Sequence, residues 1–158
     1  MSSYLDRKMT EVALNMVSPS VELSLTSVAK RNAGHLRVTH KRGDGTWELL
    51  GFRDFGNRKR WEHNYEAHAI GKEEISQRTG LPTREVQNKH AELLEPGDTV
   101  YFGSVVSDDG TIVIAFSGVE AFFDEMFAKW LLAAILALIE KKVEELKAST
   151  TGGFLPEA

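Results

Sequence analysis

The chain has 158 residues, of which 42% are hydrophobic, and this suits one globular domain with a sizeable core. With 19 basic and 23 acidic residues the net charge is −4, so the broad electrostatic footprint of a nucleic-acid binder is absent. There is no cysteine, which excludes disulfides, thiolate metal sites and cysteine catalysis.

The opening Met1-Ser2-Ser3-Tyr4-Leu5-Asp6-Arg7-Lys8 lacks the apolar core of a secretory signal, which predicts a cytoplasmic protein. Ser18 reads as an N-cap with Pro19 at the first helical position. Val21, Leu25, Val28 and Ala29 then recur at helical spacing, predicting a first helix that ends near 32–34. The runs 35–40 and 46–52 flank Arg42-Gly43-Asp44-Gly45 and predict a hairpin. Arg53, Arg58, Lys59 and Arg60 form a basic patch, either a solvated loop or a binding loop for an anion. A middle helix over 61–78 follows, with Ala67, Ile70, Gly71 and Ile75 on its inner side, and a short helix begins at Pro82.

The β-branched and aromatic runs 100–106 and 111–116 flank Ser107-Asp108-Asp109-Gly110, whose Asp-Gly supplies the positive φ of a tight hairpin turn. From Glu120 onward long helix formers take over, and Asp124-Glu125 fall where carboxylates favour the positive end of a helix dipole. The uninterrupted apolar run 130–139 is about half of what a bilayer-spanning helix requires, which predicts a buried helix and no membrane span. Residues 1–148 read as one domain and 149–158 as a flexible tail, with Phe154-Leu155-Pro156 either docked or free. The order helix, hairpin, helices, hairpin, helix predicts an α+β sandwich with helices packed on an antiparallel sheet. Apolar residues from Phe122 to Ile139 occupy nearly every face of the last helix, more than one sheet can cover. That predicts a homo-oligomer built through this helix; the alternative is cover by the N-terminal helix and Phe154-Leu155.

The ordered set Lys72, Gly80/Pro82/Thr83, Ser117-Gly118 and Asp124-Glu125 resembles the GlcG/HbpS-like family, also called the haem-degrading or PduO C-terminal domain family. In looser form the resemblance spans roughly 9–146. It implies a profilin-like sandwich with a sheet of about five strands, a ligand such as haem, a corrinoid fragment or a small carboxylate, and an accessory place in a catabolic pathway. The family's last strand usually reads Gly-Ala-Ile-Gly-Val-Ser-Gly, whereas Ile112 and Ala115 stand here at the two strand glycines. Its Gly-Gly-Val-Pro before the hairpin is replaced by Asp98-Thr99-Val100-Tyr101.

Among candidate site residues, His68 and Lys72 are four apart and share a helix face, while His63 points elsewhere. The resemblance makes Lys72 the helix lysine, a compact charge for a carboxylate or propionate. An intrahelical bridge to Glu73 or Glu74 is an equal alternative. Thr83 and Arg84 open a short helix whose N-H groups favour an anion, or Thr83 merely caps it. Ser117-Gly118 could present N-H donors to a carboxylate, or simply let the chain turn. Ser117 sits in no Gly-x-Ser-x-Gly elbow, and spacing gives it no His and Asp partners. Asp124 and Glu125 point about 100 degrees apart and cannot face one another as a carboxylate pair. His35 and His40 lie on opposite sides of their strand and make no metal site together.

The reading is therefore a small-molecule binder anchored by Lys72, His68, Thr83, Arg84, Ser117 and Gly118. The alternative is an enzyme acting on a small organic acid, with His68 or Lys72 moving the proton.

Overall fold

The computed structural model describes residues 2–28 and 31–151; of the side chains at 150 and 151 nothing is said. Four α-helices and four strands run in the order α1 (Arg7–Ser27), β1 (Gly34–Lys41), β2 (Trp47–Phe55), α2 (Tyr65–Thr79), α3 (Thr83–Lys89), β3 (Ser104–Val106), β4 (Ile112–Ser117) and α4 (Ala121–Thr151). The strands form one antiparallel sheet in the order β2-β1-β4-β3. The fold is thus α+β, with four strands among the described residues and not about five. The two hairpins account for all of them; residues 100–103 form no strand, and β3 begins only at Ser104.

The first helix starts well before Pro19. Asp6 caps it, its carboxylate accepting from the Met9 N-H, and Pro19 lies inside. An interior proline withdraws the donor that would reach the carbonyl four residues back and costs about 3 kcal/mol. Ala13, Leu14, Val17, Val21 and Leu25 are buried on both sides of it, and that stripe outweighs the lost bond.

The middle helix begins at Tyr65, since Asn64 accepts from the Ala67 N-H and so sets its start; 58–60 forms a separate 3-10 turn. The helix closes on Gly80 in the left-handed region. The terminal helix runs to Thr151, past the start expected for the tail; 152–158 lie outside the described residues. Among the described residues no helix is long and apolar enough to cross a membrane.

Register decides which residue meets which helix. Leu36 and Val38 on β1, and Ile112, Ile114 and Phe116 on β4, turn toward α1 and α4. There they pack with Leu14, Leu25, Phe127, Leu131 and Ile135 in a core that is apolar apart from the buried Thr10 and Ser18 of α1. Gly51 on β2 lies against Thr10 and Leu14, close enough that a Cβ would stand 3.0 Å from the threonine methyl. His35, Arg37 and Thr39 turn to the opposite face, toward α2. The terminal helix buries a single stripe, Phe127, Ala128, Leu131, Ile135 and Ile139, while Phe122 and Leu136 stay exposed.

Candidate functional site

The α2 face of the sheet buries Ala69, Ile75, Val113 and Ala115, and among them stand polar side chains held at a short distance from one another. Arg37 donates to Glu73 at 3.1 Å, and the Gln77 amide donates to the Thr39 hydroxyl at 3.0 Å. Ser76, Ser104 and Thr83 share hydroxyl contacts, and Ser104 donates to the Lys72 carbonyl at 3.0 Å. Burial pushes the Glu73 carboxyl above its ordinary range, against the pull of Arg37.

At one end of this layer Lys72 is nearly sealed from solvent, as is Asp124 in the first turn of α4. The ammonium donates to the Asp124 carboxylate at 2.8 Å and to the Phe116 carbonyl at 3.0 Å. The other Asp124 oxygen accepts from the Val119 N-H at 3.0 Å, so one carboxylate both caps the corner and holds the lysine. Burial drives the two groups the same way, toward neutrality: it lowers Lys72 and lifts Asp124 to about 6, against the attraction of each for the other. Gly103, at φ +153, makes the approach possible. A Cβ there would meet the Phe116 carbonyl at 2.7 Å, Asp124 Cβ at 2.9 Å and Lys72 Nζ at 3.0 Å.

The pair forms part of the wall of a cavity of about 290 Å³. His63, Tyr65 and His68 come from α2 and the loop before it, Ser117 to Val119 from the corner, Arg31 from the segment ahead of β1, and Tyr101 from the loop ahead of β3. Arg31 donates through Nη1 to the Gly118 carbonyl at 2.8 Å. Gly118 is tight against Ala33 and Gly34, where a Cβ would stand 2.4 Å from the Ala33 carbonyl oxygen. That crossing, more than the turn itself, accounts for the glycine.

The six predicted ligand residues therefore separate. His68, Lys72, Ser117 and Gly118 share the cavity wall, with His68 exposed at its rim. His63, expected to point elsewhere, lines the same cavity. Thr83 is buried beneath Lys72, its hydroxyl 3.4 Å from the Lys72 carbonyl. Arg84 faces a different groove, pairs with Glu125 at 3.3 Å and lies over the Phe102 ring. Neither intrahelical bridge weighed for Lys72 forms: Glu73 goes to Arg37 and Lys72 to Asp124. Asp124 is more than a dipole partner.

Of the basic patch, Arg53 is taken by Glu11 and Asn15, and Arg58 by Asp54 and Glu66. Arg31, Tyr65 and Tyr101 carried no signal in the sequence, since each reaches the cavity only through the way distant segments meet.

No family model matches the sequence, and no curated protein is similar to it. Among solved structures, the crystal structure of the Ybr137w protein is similar at a TM-score of 0.55 and 10% identity, over 81% of this chain and 84% of that chain. At that identity the likeness is one of fold.

Proposed function

We propose that this chain is a small-molecule-binding protein whose cavity holds a small carboxylate, in the manner that its resemblance to the GlcG/HbpS-like family and its profilin-like sandwich imply. The observation that carries the reading is the sealed Lys72–Asp124 pair beside Arg31 in one wall. Asp124 cancels the lysine charge, so the net positive charge of the wall comes from Arg31, whose planar fork suits a carboxylate. Lys72 and the corner below it hold that wall rigid.

Haem, the other ligand implied by the resemblance, is a poor match for this lining. His63 and His68 offer imidazoles at the rim, but a macrocycle needs a wide apolar slot, and this cavity of about 290 Å³ has Arg31, Lys72 and Asp124 in its wall. An enzyme acting on a small organic acid is the second reading. It is favoured by the opposed shifts of Lys72 and Asp124, which leave a proton easily shared between two groups at the cavity wall.

The homo-oligomer expected through the terminal helix stays part of the proposal, supported by the exposed Phe122 and Leu136 on α4. Light scattering on the purified chain checks it, and a monomer at micromolar concentration removes it.

Calorimetric titration with a panel of small mono- and dicarboxylates tests the main reading. Binding should appear for at least one acid and weaken about 10-fold or more in Arg31→Ala, as loss of a charge-assisted bond implies. No binding across the panel, or unchanged affinity in Arg31→Ala, overturns it. A saturable haem absorbance shift lost in His68→Ala would put haem in its place.

A further inference from the structure

Three residues lie side by side across three strands on the polar face. In the register, Asp54 of β2 is opposite His35 of β1, and His35 is opposite Ser117 of β4. Directly opposed residues project to the same face with Cβ atoms about 5 Å apart. The His35 ring is 1% exposed, and its Nδ1 lies 2.7 Å from Asp54 Oδ1. Arg58 donates to the other Asp54 oxygen at 3.1 Å, and Phe52 stacks on the ring at 5.4 Å, so the imidazole is held from two sides. Burial lowers the His35 pKa, the Asp54 hydrogen bond opposing it, so the ring is neutral at pH 7.

In a neutral ring whose Nδ1-H donates to a carboxylate, Nε2 carries the lone pair. That atom is the one buried side-chain polar atom left without a partner among the described residues. A buried acceptor left bare costs stability and asks for a reason. Ser117 is the cross-strand neighbour of His35, lines the cavity, and has no hydrogen-bond partner for its hydroxyl among the described residues. The two groups are not bonded to each other here; hydrogen bonds between a nucleophile and its base are often long without substrate and tighten when it binds.

We propose that Ser117, His35 and Asp54 form an acyl-transfer site opening into this cavity, with Ser117 the nucleophile, His35 the general base and Asp54 the residue that positions the ring. The substrate class is an ester or thioester of a small organic acid. The Ser117 proton passes to His35 Nε2 as Oγ bonds to the acyl carbon. The ester or thioester bond then breaks, and the leaving alcohol or thiol takes that proton. Water attacks the acyl-serine, gives its proton to His35, and the carboxylic acid departs as Ser117 recovers a hydrogen. Arg31 spends one of its five N-H donors on the Gly118 carbonyl, and with no other side-chain partner among the described residues it can turn another toward the developing oxyanion. The constellation is recognised by roles and geometry, since no nucleophile elbow marks it in the sequence.

The assignment rests on the cavity and Arg31 of the binding reading, but its chemistry needs Ser117, His35 and Asp54 to act together, so the two can fail separately. The full chain is treated with a fluorophosphonate probe and with p-nitrophenyl acetate, and followed by intact mass and peptide mapping. One adduct should appear, on Ser117, absent in Ser117→Ala and formed at least 10-fold more slowly in His35→Gln. Asp54→Asn should slow labelling, and Asp54→Glu should recover part of the rate. His90→Gln, at a half-buried position that does not line the cavity, serves as the control and should label at the parent rate.

If His35→Gln does not fold, as judged by its circular dichroism melt, the Ser117→Ala and Asp54 pair decide. No adduct, an adduct elsewhere, or a Ser117 adduct formed at the parent rate in folded His35→Gln or in Asp54→Asn overturns the proposal. A chain that binds a small carboxylate yet takes no label loses the acyl-transfer site and keeps the binding one. A chain that takes the label and binds no carboxylate does the reverse.

Discussion

The two faces of the sheet are made by alternate residues of the same strands, yet they follow opposite rules. Toward α1 and α4 the strands offer Leu36, Val38, Ile112, Ile114 and Phe116, and the space between the layers is filled by hydrocarbon and aromatic rings. Toward α2 they offer His35, Arg37, Thr39 and Ser117 beside the apolar Val113 and Ala115, matched by Lys72, Glu73, Ser76 and Gln77 beside Ala69 and Ile75. An apolar layer gains free energy from every methylene it hides; a buried polar layer at best recovers what desolvation costs. The first face therefore contributes most to the stability of the fold, and the second also holds aligned charges and hydroxyls beside a cavity. A sheet braced on one side can carry such a layer on the other.

The contrast can be broken from either side. The largest effect is expected for Lys72→Met, which leaves the Asp124 carboxylate buried with no cation, at a cost of about 3–5 kcal/mol. Urea unfolding reads it directly, and a loss below 1 kcal/mol would mean that the polar layer relaxes easily. In the double variant Lys72→Met/Asp124→Leu most of that loss should return, because the unpaired charge is gone.

On the opposite face Leu131→Ala should cost about 2–5 kcal/mol by cavity formation while leaving carboxylate affinity within twofold. A large change in affinity would show that the two layers are coupled. Gly103→Ala should cost about 1–3 kcal/mol and weaken binding, since its methyl group intrudes on the lysine, the aspartate and a carbonyl together.

A smaller signal lies in pH. Between the ordinary aspartate range and about 6 the folded chain keeps a proton on Asp124 that the unfolded chain has released, so this group's contribution falls as pH rises across that window. The stability of the parent relative to Asp124→Asn should therefore shrink from about pH 4 to pH 7, read as urea midpoints. An increase would place the Asp124 shift in the other direction. The smallest change belongs to Glu11→Ala, where removal of an exposed partner of Arg53 should cost below about 1 kcal/mol.

Which parts of this were legible in the sequence follows from distance along the chain. The hairpins and the short helix were written in local patterns: Asp-Gly turns, β-branched runs and a proline at a helix start. The first helix was read from Ser18 because Ser-Pro is a strong local start signal, and a buried stripe on both sides of Pro19 outweighed it. Lys72 was found through resemblance, but its partner lies 52 positions away, beyond the reach of any spacing rule. Ser117 looked unaccompanied for the same reason. His35 stood in the sequence as half of a histidine pair, and only the pairing of β1 with both β2 and β4 brings it between an aspartate and a serine. Tyr101 and Arg31 are loop residues with no periodicity to betray them.

The strand order also sets a timetable. During synthesis β1 and β2 emerge together and can pair at once, but the other neighbour of β1 arrives only after α2 and α3 have been made; Arg31 and Gly118, which meet at the corner, are 87 positions apart. Until then the inner edge of β1 is an unpaired strand edge, and its apolar side has α1 but not yet α4 to cover it. Closure of so long a loop makes β1–β4 pairing the late, slow event, and the ribosome-bound hairpin the species most open to wrong partners. Variants that weaken the corner at Gly118 should therefore show first as poor yield at elevated growth temperature, before any change in the finished protein is seen.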